Sequence, residues 1–582
     1  MKIFNHILPI NSFLKRNRRF VSIIALLLLT ATGELFAQGV VRWTGATNTN
    51  WATATNWAVV SGTPSTPPGI ADDVQIGTIA TFTKEPTIGA ATSINSLTYG
   101  NVDRSTLTIN ANLTIVGAIT NTIVTTARVH DVTIATGVIL SAGSANLSPV
   151  IGAANMTFTF TGTAAFNVTG NFTAQPAAIT TNITLTVAAG TFTVGGTMLQ
   201  GAAATTARNC VISATTGTLT FTGAYTKNGS GSNLTTTGAA NVTFGGSVTN
   251  TLGTFTLNAA TTAIFTGTTT ITPTTAITFG NVQLNSGSAV TAGGNLSVTG
   301  NWTNNGGTFT PGANTVTFSG LTGTIGGTTN TTFGAITIAA SATITMNNNN
   351  SCANLTFTAS GDASSFTHGS TSILTVSGNV VVNQPTANNT TTAWNINAGS
   401  ATVAGTTTVG GANATATRIA RILVTTGSTT FGGVVTLTTS TSSLVADIRV
   451  AAGSLTFTSA LNHNQGSLVF TGAGTMNFDN TYAFASGGAA TPVFTTFAGA
   501  TMNFANNLTV SATGGITFNA TSTAIFTATA TITPTTAITF GNVTVNTGVT
   551  VTTTLAAGTL TIAGDLNVSG IVSNSGIINV GI

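Results

Sequence analysis

Apolar and polar residues alternate along most of this chain. In Met156-Thr-Phe-Thr-Phe-Thr161 and Leu455-Thr-Phe-Thr458 every second position is apolar and the rest are threonine, the period-two signature of a strand with one face in a core and the other in water. Such runs recur from about Thr78 onward. Gly-Asn pairs at Gly100, Gly170, Gly280, Gly294, Gly300, Gly378 and Gly541 close many of them, and glycine followed by asparagine predicts sharp corners in left-handed backbone. No stretch after Leu35 carries helical periodicity, and Glu, Lys, Gln and Arg are scarce, so helix is expected to be close to nil.

The text also repeats itself. Residues Ala263 to Asn285 return from Ala524 to Asn546 with nineteen of twenty-three positions identical at an offset of 261, and none of the four changes introduces a charge. A shorter echo, Gly294–Gly300 against Gly564–Gly570, comes at an offset of 270, so nine residues separate two matching pairs without spoiling either. Insertions of that kind suit corners that bulge from a stacked array better than a closed barrel or sandwich. The expected fold is all-β, a parallel β-helix or β-solenoid with coils of roughly 20 to 25 residues. The array is placed at 78–582, after a leader at 1–37 and an aromatic module at 38–77. The text halts inside a strand-like run at Ile577–Ile582, where an uncovered apolar rung is expected to invite strand addition by another molecule.

Composition narrows the function classes. Charged residues make up 4% of the chain, against about 25% in ordinary globular domains, so Thr, Ser and Asn must carry the solubility. Five of the fourteen basic residues precede position 20, ahead of an apolar run from Phe20 to Leu29 and a cleavable-looking Phe36-Ala37-Gln38. This is the layout of an export signal, and ten apolar residues fall short of the roughly 20 that a spanning helix needs. Nine basic and nine acidic residues remain after it. A neutral mature chain lacks the electrostatic footprint of a nucleic-acid binder, and no retained transmembrane segment is expected.

Trp43, Trp51 and Trp57, three of the five tryptophans, fall within fifteen residues. Large rings suit a cap over the open end of a solenoid, with a sugar-stacking platform as the sharper reading. The order Trp43-Thr-Gly45, Trp51, Asn56-Trp57, a proline-rich turn and Asp72-Asp-Val-Gln-Ile76 resembles the opening of extracellular β-strand-repeat proteins of Bacteroidetes-type bacteria and, more distantly, the passenger regions of autotransporter adhesins. Gly294-Asn-Leu-Ser-Val-Thr-Gly300-Asn-Trp-Thr-Asn-Asn-Gly306 is similar to their repeats. The resemblance spans nearly the whole mature chain and is one of texture, without an active-site motif. It implies a right-handed parallel β-helix or related β-solenoid displayed at, or released from, a cell surface, and it implies no particular ligand.

Catalytic chemistry finds little to work with. Asp72-Asp73 is the only adjacent acid pair, and alternation sends the two carboxylates to opposite faces. Arg128, His130 and Asp131 form the most reactive-looking trio. Yet Arg128, Arg208 and Arg418 each stand nine residues before a glycine, Gly137, Gly217 and Gly427, which reads as one repeat-corner position with guanidiniums on backbone carbonyls. His368 and His463 stand alone and read as solvated loop residues, and no metal or cofactor motif appears. Cys210 and Cys352 are expected as two separate thiols. Asn347–Asn350 reads as a polar loop, with stacked amides as the sharper version.

The expectation is therefore a non-enzymatic structural or adhesive protein, exported to the cell surface or beyond, that presents a Thr/Asn-rich rod to glycans, other cells or its own copies. The alternative is a protein that binds ice or a mineral lattice through rows such as Thr268-Thr-Thr-Ile-Thr272.

Overall fold

A computed structural model describes residues 39–580 apart from 122, 124, 177–179, 203–208, 360–361, 370, 412–416, 439–445, 486–490, 514, 555–557 and 576–577. The leader expected at 1–37 and the corner residue Arg208 lie outside the described residues. The chain forms a parallel β-solenoid of about 20 turns, and its only helical element among the described residues is one 3-10 turn, Ala54–Asn56. At about 4.8 Å per coil the stack is on the order of 100 Å long.

Each coil has three sides. Ala165–Val168 lies on the first, Phe172–Ala174 on the second and Asn182–Val187 on the third, and Thr191–Val194 returns to the first directly against Ala165–Val168. Inward positions stack in register, Phe166 against Phe192 and Ile183 against Cys210. The buried apolar residues consequently form a single cluster running from Val41 to Ile562. On the second side it holds a pile of rings, in which Phe431, Phe457, Phe478, Phe504 and Phe526 sit 5.2–5.5 Å apart, centroid to centroid. Rings spaced by the strand repeat bury large areas against one another without leaving voids.

Coil length varies more than expected. Phe265 pairs with Leu284, 19 residues on, whereas Val403 pairs with Phe431, 28 on. Strands keep the register while corners absorb the difference. The corners themselves migrate. Leu113–Asn121 and Ile139–Leu147 run unbroken from the first side to the second, whereas Thr332–Ile338 and Asn350–Phe357 run unbroken from the second to the third.

The Gly-Asn corners work differently from the expectation. None of Gly100, Gly170, Gly280, Gly294, Gly300, Gly378 and Gly541 has a positive φ. Glycine is required there because a Cβ would run into the coil beneath, at Gly280 into the Asn258 carbonyl and at Gly541 into the Asn519 carbonyl. Left-handed backbone belongs to other glycines, among them Gly287 (φ 80) and Gly548 (φ 77), whose missing side chains would meet open space. The asparagines fasten coil to coil. Asn354 Oδ1 accepts the Asn379 N–H at 2.8 Å, and Asn379 Oδ1 accepts the Thr406 N–H at 2.9 Å one coil further. Each such bond satisfies an N–H that the corner takes out of the ladder. Asn347–Asn350 follows the same rule without an amide stack: Asn349 Oδ1 accepts the Ile373 N–H, and Asn350 Oδ1 the Thr331 N–H.

The two ends differ. Val40–Trp43 pairs parallel with Asp73–Ile76, while Trp57–Ser61 lies antiparallel along its other edge, with Val59 and Val60 exposed and prolines following. These strands share the core cluster, so residue 77 does not divide two cores. At the other end Leu566, Val568, Ile571 and Val580 are 37–61% exposed.

Candidate functional site

The tryptophans are interior residues. Trp43 and Trp51 stack with centroids 6.3 Å apart, and Trp57 stands edge-on to both at 5.0 and 4.6 Å. Trp43 Nε1 donates to the Lys84 carbonyl and Trp57 Nε1 to that of Trp51. All three are buried, so no ring face is free to stack on a sugar. Asn56, fully buried, holds the surrounding loop through the N–H groups of Thr47 and Asn48.

The acid pair separates as alternation requires. Asp72 accepts from Ser65 Oγ at 2.6 Å and from the Gly69 N–H at 2.8 Å, which pins the proline-rich turn. Asp73 accepts from Asn95 and Ser96 on the next coil. The trio at 128–131 likewise splits. His130 points into the core, its Nδ1 2.8 Å from Ser105 Oγ and its Nε2 2.9 Å from the Gly100 carbonyl, while Asp131 faces outward. Arg128 donates to the Val102 and Ala127 carbonyls. Arg418, by contrast, opens a strand of the first side and donates to Asn388 Oδ1, whereas Arg128 precedes a third-side strand, so the two do not occupy one repeat position.

His368 and His463 are fully buried rather than solvated. Trp394 Nε1 donates to His368 Nε2 at 3.0 Å, and His463 Nδ1 lies 2.8 Å from the Tyr482 hydroxyl. Burial pushes the pKa of His130, His368 and His463 each down to about 4. They are neutral core residues at the ends of inward-facing runs, a role that isolated histidines in a polar text do not reveal. Lys227 is buried too, with Nζ donating to the Leu252 carbonyl at 2.6 Å, and desolvation lowers its pKa. The thiols of Cys210 and Cys352 are free and buried, each pushed up to about 12 by desolvation. Among the described residues no group of three or more His, Cys, Asp or Glu could hold a metal ion, and no helix is long and apolar enough to cross a membrane.

One ionic cluster was not singled out by spacing. Asp447, fully buried, receives Arg421 in bidentate fashion at 2.7 and 2.8 Å, and Arg449 through Nε and Nη2 at 3.0 and 2.9 Å. The three belong to adjacent first-side coils, with Arg421 and Asp447 direct register partners. Hydrogen bonding to Asp447 raises the Arg421 pKa.

What remains is the polar exterior. On the third side Thr87, Thr108, Thr133, Thr159, Thr186, Ser213 and Thr235 stand in register on consecutive coils. The neighbouring rank, Thr106, Asp131, Thr157, Thr184 and Val211, is interrupted twice. Comparable ranks stand on the other sides, Thr191 with Thr218 on the first and Ser400, Ser428, Ser454 and Thr475 on the second. The fold and its surface define a three-sided, Thr-coated parallel β-solenoid. No family model, curated protein or solved structure matches the chain.

Proposed function

We propose that this chain is an exported structural and adhesive surface protein, a rod whose sides present hydroxyl and amide groups to glycans, to other cells or to copies of itself. The observation that carries the reading is the division of labour in every coil. His130, His368, His463, the two thiols and Lys227 are buried, and Asp72, Asp73 and Asp447 are tied into the framework by hydrogen bonds, whereas hydroxyl ranks run in register over the exterior. An export-type leader in the sequence supports the location. The reading is tested by displaying or adding the mature chain and measuring attachment to cells, matrix and polysaccharides. Attachment above that of an unrelated rod supports it, and uniform failure to attach together with turnover of a substrate would sink it.

The register of the third-side threonine rank keeps lattice binding as a second reading, because regular hydroxyl spacing is what a crystal face would match. The interrupted companion rank and the presence of threonine on all three sides favour solubility as the reason for the enrichment. A thermal-hysteresis assay separates the two: no depression of the freezing point is expected.

A further inference from the structure

The arginines are distributed in a way that solubility does not require. From Asn209 to Val580 the sequence holds only four basic residues, Lys227, Arg418, Arg421 and Arg449. Lys227 is buried. The three arginines stand together on the first side, on strands Arg418–Val424 and Ala446–Val450, with Asp447 the only acid among them. Arg421 and Arg449 each spend two of five N–H donors on Asp447, and their side chains are 21% and 30% exposed. The buried carboxylate thus fixes two guanidinium planes at the surface with unused N–H edges outward. Arginine ordered in this way loses little entropy on meeting a carboxylate or sulfate, which it recognises as a fork. Three cations against one carboxylate leave the patch positive in a rod that is neutral as a whole.

Where the same coils turn to the second side, a shallow groove runs along the rod axis. Gly399, Gly427 and Gly453 form its floor, and the register partners Ser400, Ser428 and Ser454 form its hydroxyl wall. A side chain at Gly427 or Gly453 would collide with the carbonyl of the glycine one coil below, so the floor stays flat. A groove parallel to the axis and faced with hydroxyls, with a cationic strip on the preceding side of the same coils, fits a linear polymer that carries both hydroxyls and anions.

We propose that the first side at Arg418, Arg421 and Arg449, with the adjoining Gly399–Gly427–Gly453 groove, binds an acidic polysaccharide, one bearing uronate carboxylates or sulfate esters. This rests on the adhesive reading and names its ligand class. The full mature chain is tested on immobilised polygalacturonate, dextran sulfate and neutral dextran, and on anionic phospholipid vesicles. Binding to one or both acidic polymers, weakening with salt and absent on neutral dextran, is expected, and the polymer bound tells carboxylate from sulfate. The combined variant Arg421→Gln, Asp447→Asn, Arg449→Gln removes the cations without stranding a buried carboxylate, and at unchanged melting temperature it should bind about tenfold more weakly. Arg418→Gln, more peripheral, should cost a few-fold and serves as the readout if the combined variant does not fold. Equal binding to neutral dextran, binding to vesicles alone, or a folded variant that binds as well as the parent would overturn the proposal. Attachment to cells without any preference for acidic polymers would overturn this assignment and leave the adhesive reading standing. Binding to acidic polymers without attachment to cells would support this assignment and narrow the adhesive reading to glycans, and failure to attach to any of these surfaces would overturn both.

Discussion

Residues 263–285 and 524–546 are nearly the same text on different sides of the rod. In the first copy Thr262–Phe265 lies on the first side and Thr268–Pro273 on the second. In the later copy Thr523–Phe526 lies on the second side, reached from Ser400–Val403 through Ser428–Phe431, Ser454–Phe457, Thr475–Phe478 and Thr501–Phe504, and Ala530–Pro534 lies on the third. Local surroundings are nevertheless kept. Phe265 stacks on Phe244 and meets Phe279 edge-on, while Phe526 stacks on Phe504 and meets Phe540 edge-on. Asn281 Oδ1 accepts the Asn301 N–H at 2.8 Å, and Asn542 Oδ1 accepts the Asp565 N–H at 2.9 Å. The unit encoded by this sequence is therefore a strand with its corner, and a side of the rod is merely where the count of units happens to fall.

That equivalence can be broken in graded ways. Phe265→Ala and Phe526→Ala should each cost about 3–5 kcal/mol, in chemical denaturation, and by similar amounts if the two environments match. Acid should act unevenly. The unfolded chain takes up a proton on histidine near pH 6.5, but His130, His368 and His463 resist until about 4, so stability falls as pH drops from about 6.5 to about 4 and levels off below. Each ring is worth about 3 kcal/mol over that window. Neither repeat copy contains a titratable side chain. Hydrogen exchange at about pH 4.5 should open the coils holding the histidines before residues 263–285, because coils in a stack answer mainly to their neighbours.

Gly280→Ala and Gly541→Ala should each cost about 1–3 kcal/mol by melting, since backbone of the coil beneath must move. Gly287→Ala and Gly548→Ala should cost only about 1 kcal/mol, from strained φ alone. The smallest effect has the opposite sign. Thr269 is fully buried and its hydroxyl has no hydrogen-bond partner, whereas the later copy carries buried Ala530 at that position. Thr269→Ala should stabilise by about 1 kcal/mol and Ala530→Thr should destabilise by about as much.

The sequence made the strands legible because alternation is local: Phe158 and Phe160 announce their inward direction within five residues. The side on which a strand lies is not legible, since it depends on every corner before it and register partners on adjacent coils are 18 to 33 residues apart. For the same reason the Arg421–Asp447–Arg449 cluster is not legible: Arg421 reaches the Asp447–Arg449 pair only through a register 26 residues apart that no motif marks. His368 and His463 are core residues because alternation runs to the last residue of each strand, His368 after inward Phe366 and His463 after inward Leu461. The corner glycines depart from the left-handed expectation because a Gly-Asn dipeptide encodes a local φ preference and says nothing about the neighbouring coil that a Cβ would strike.

Thermal unfolding of a chain lacking Ser288–Gly294, one second-side strand with its corner, tests the equivalence of units most directly. Everything downstream would then turn by one side while keeping its own neighbours. The account predicts one cooperative transition and the strand-type circular dichroism of the intact chain. Loss of that transition, as if a fixed side had been destroyed, would contradict it.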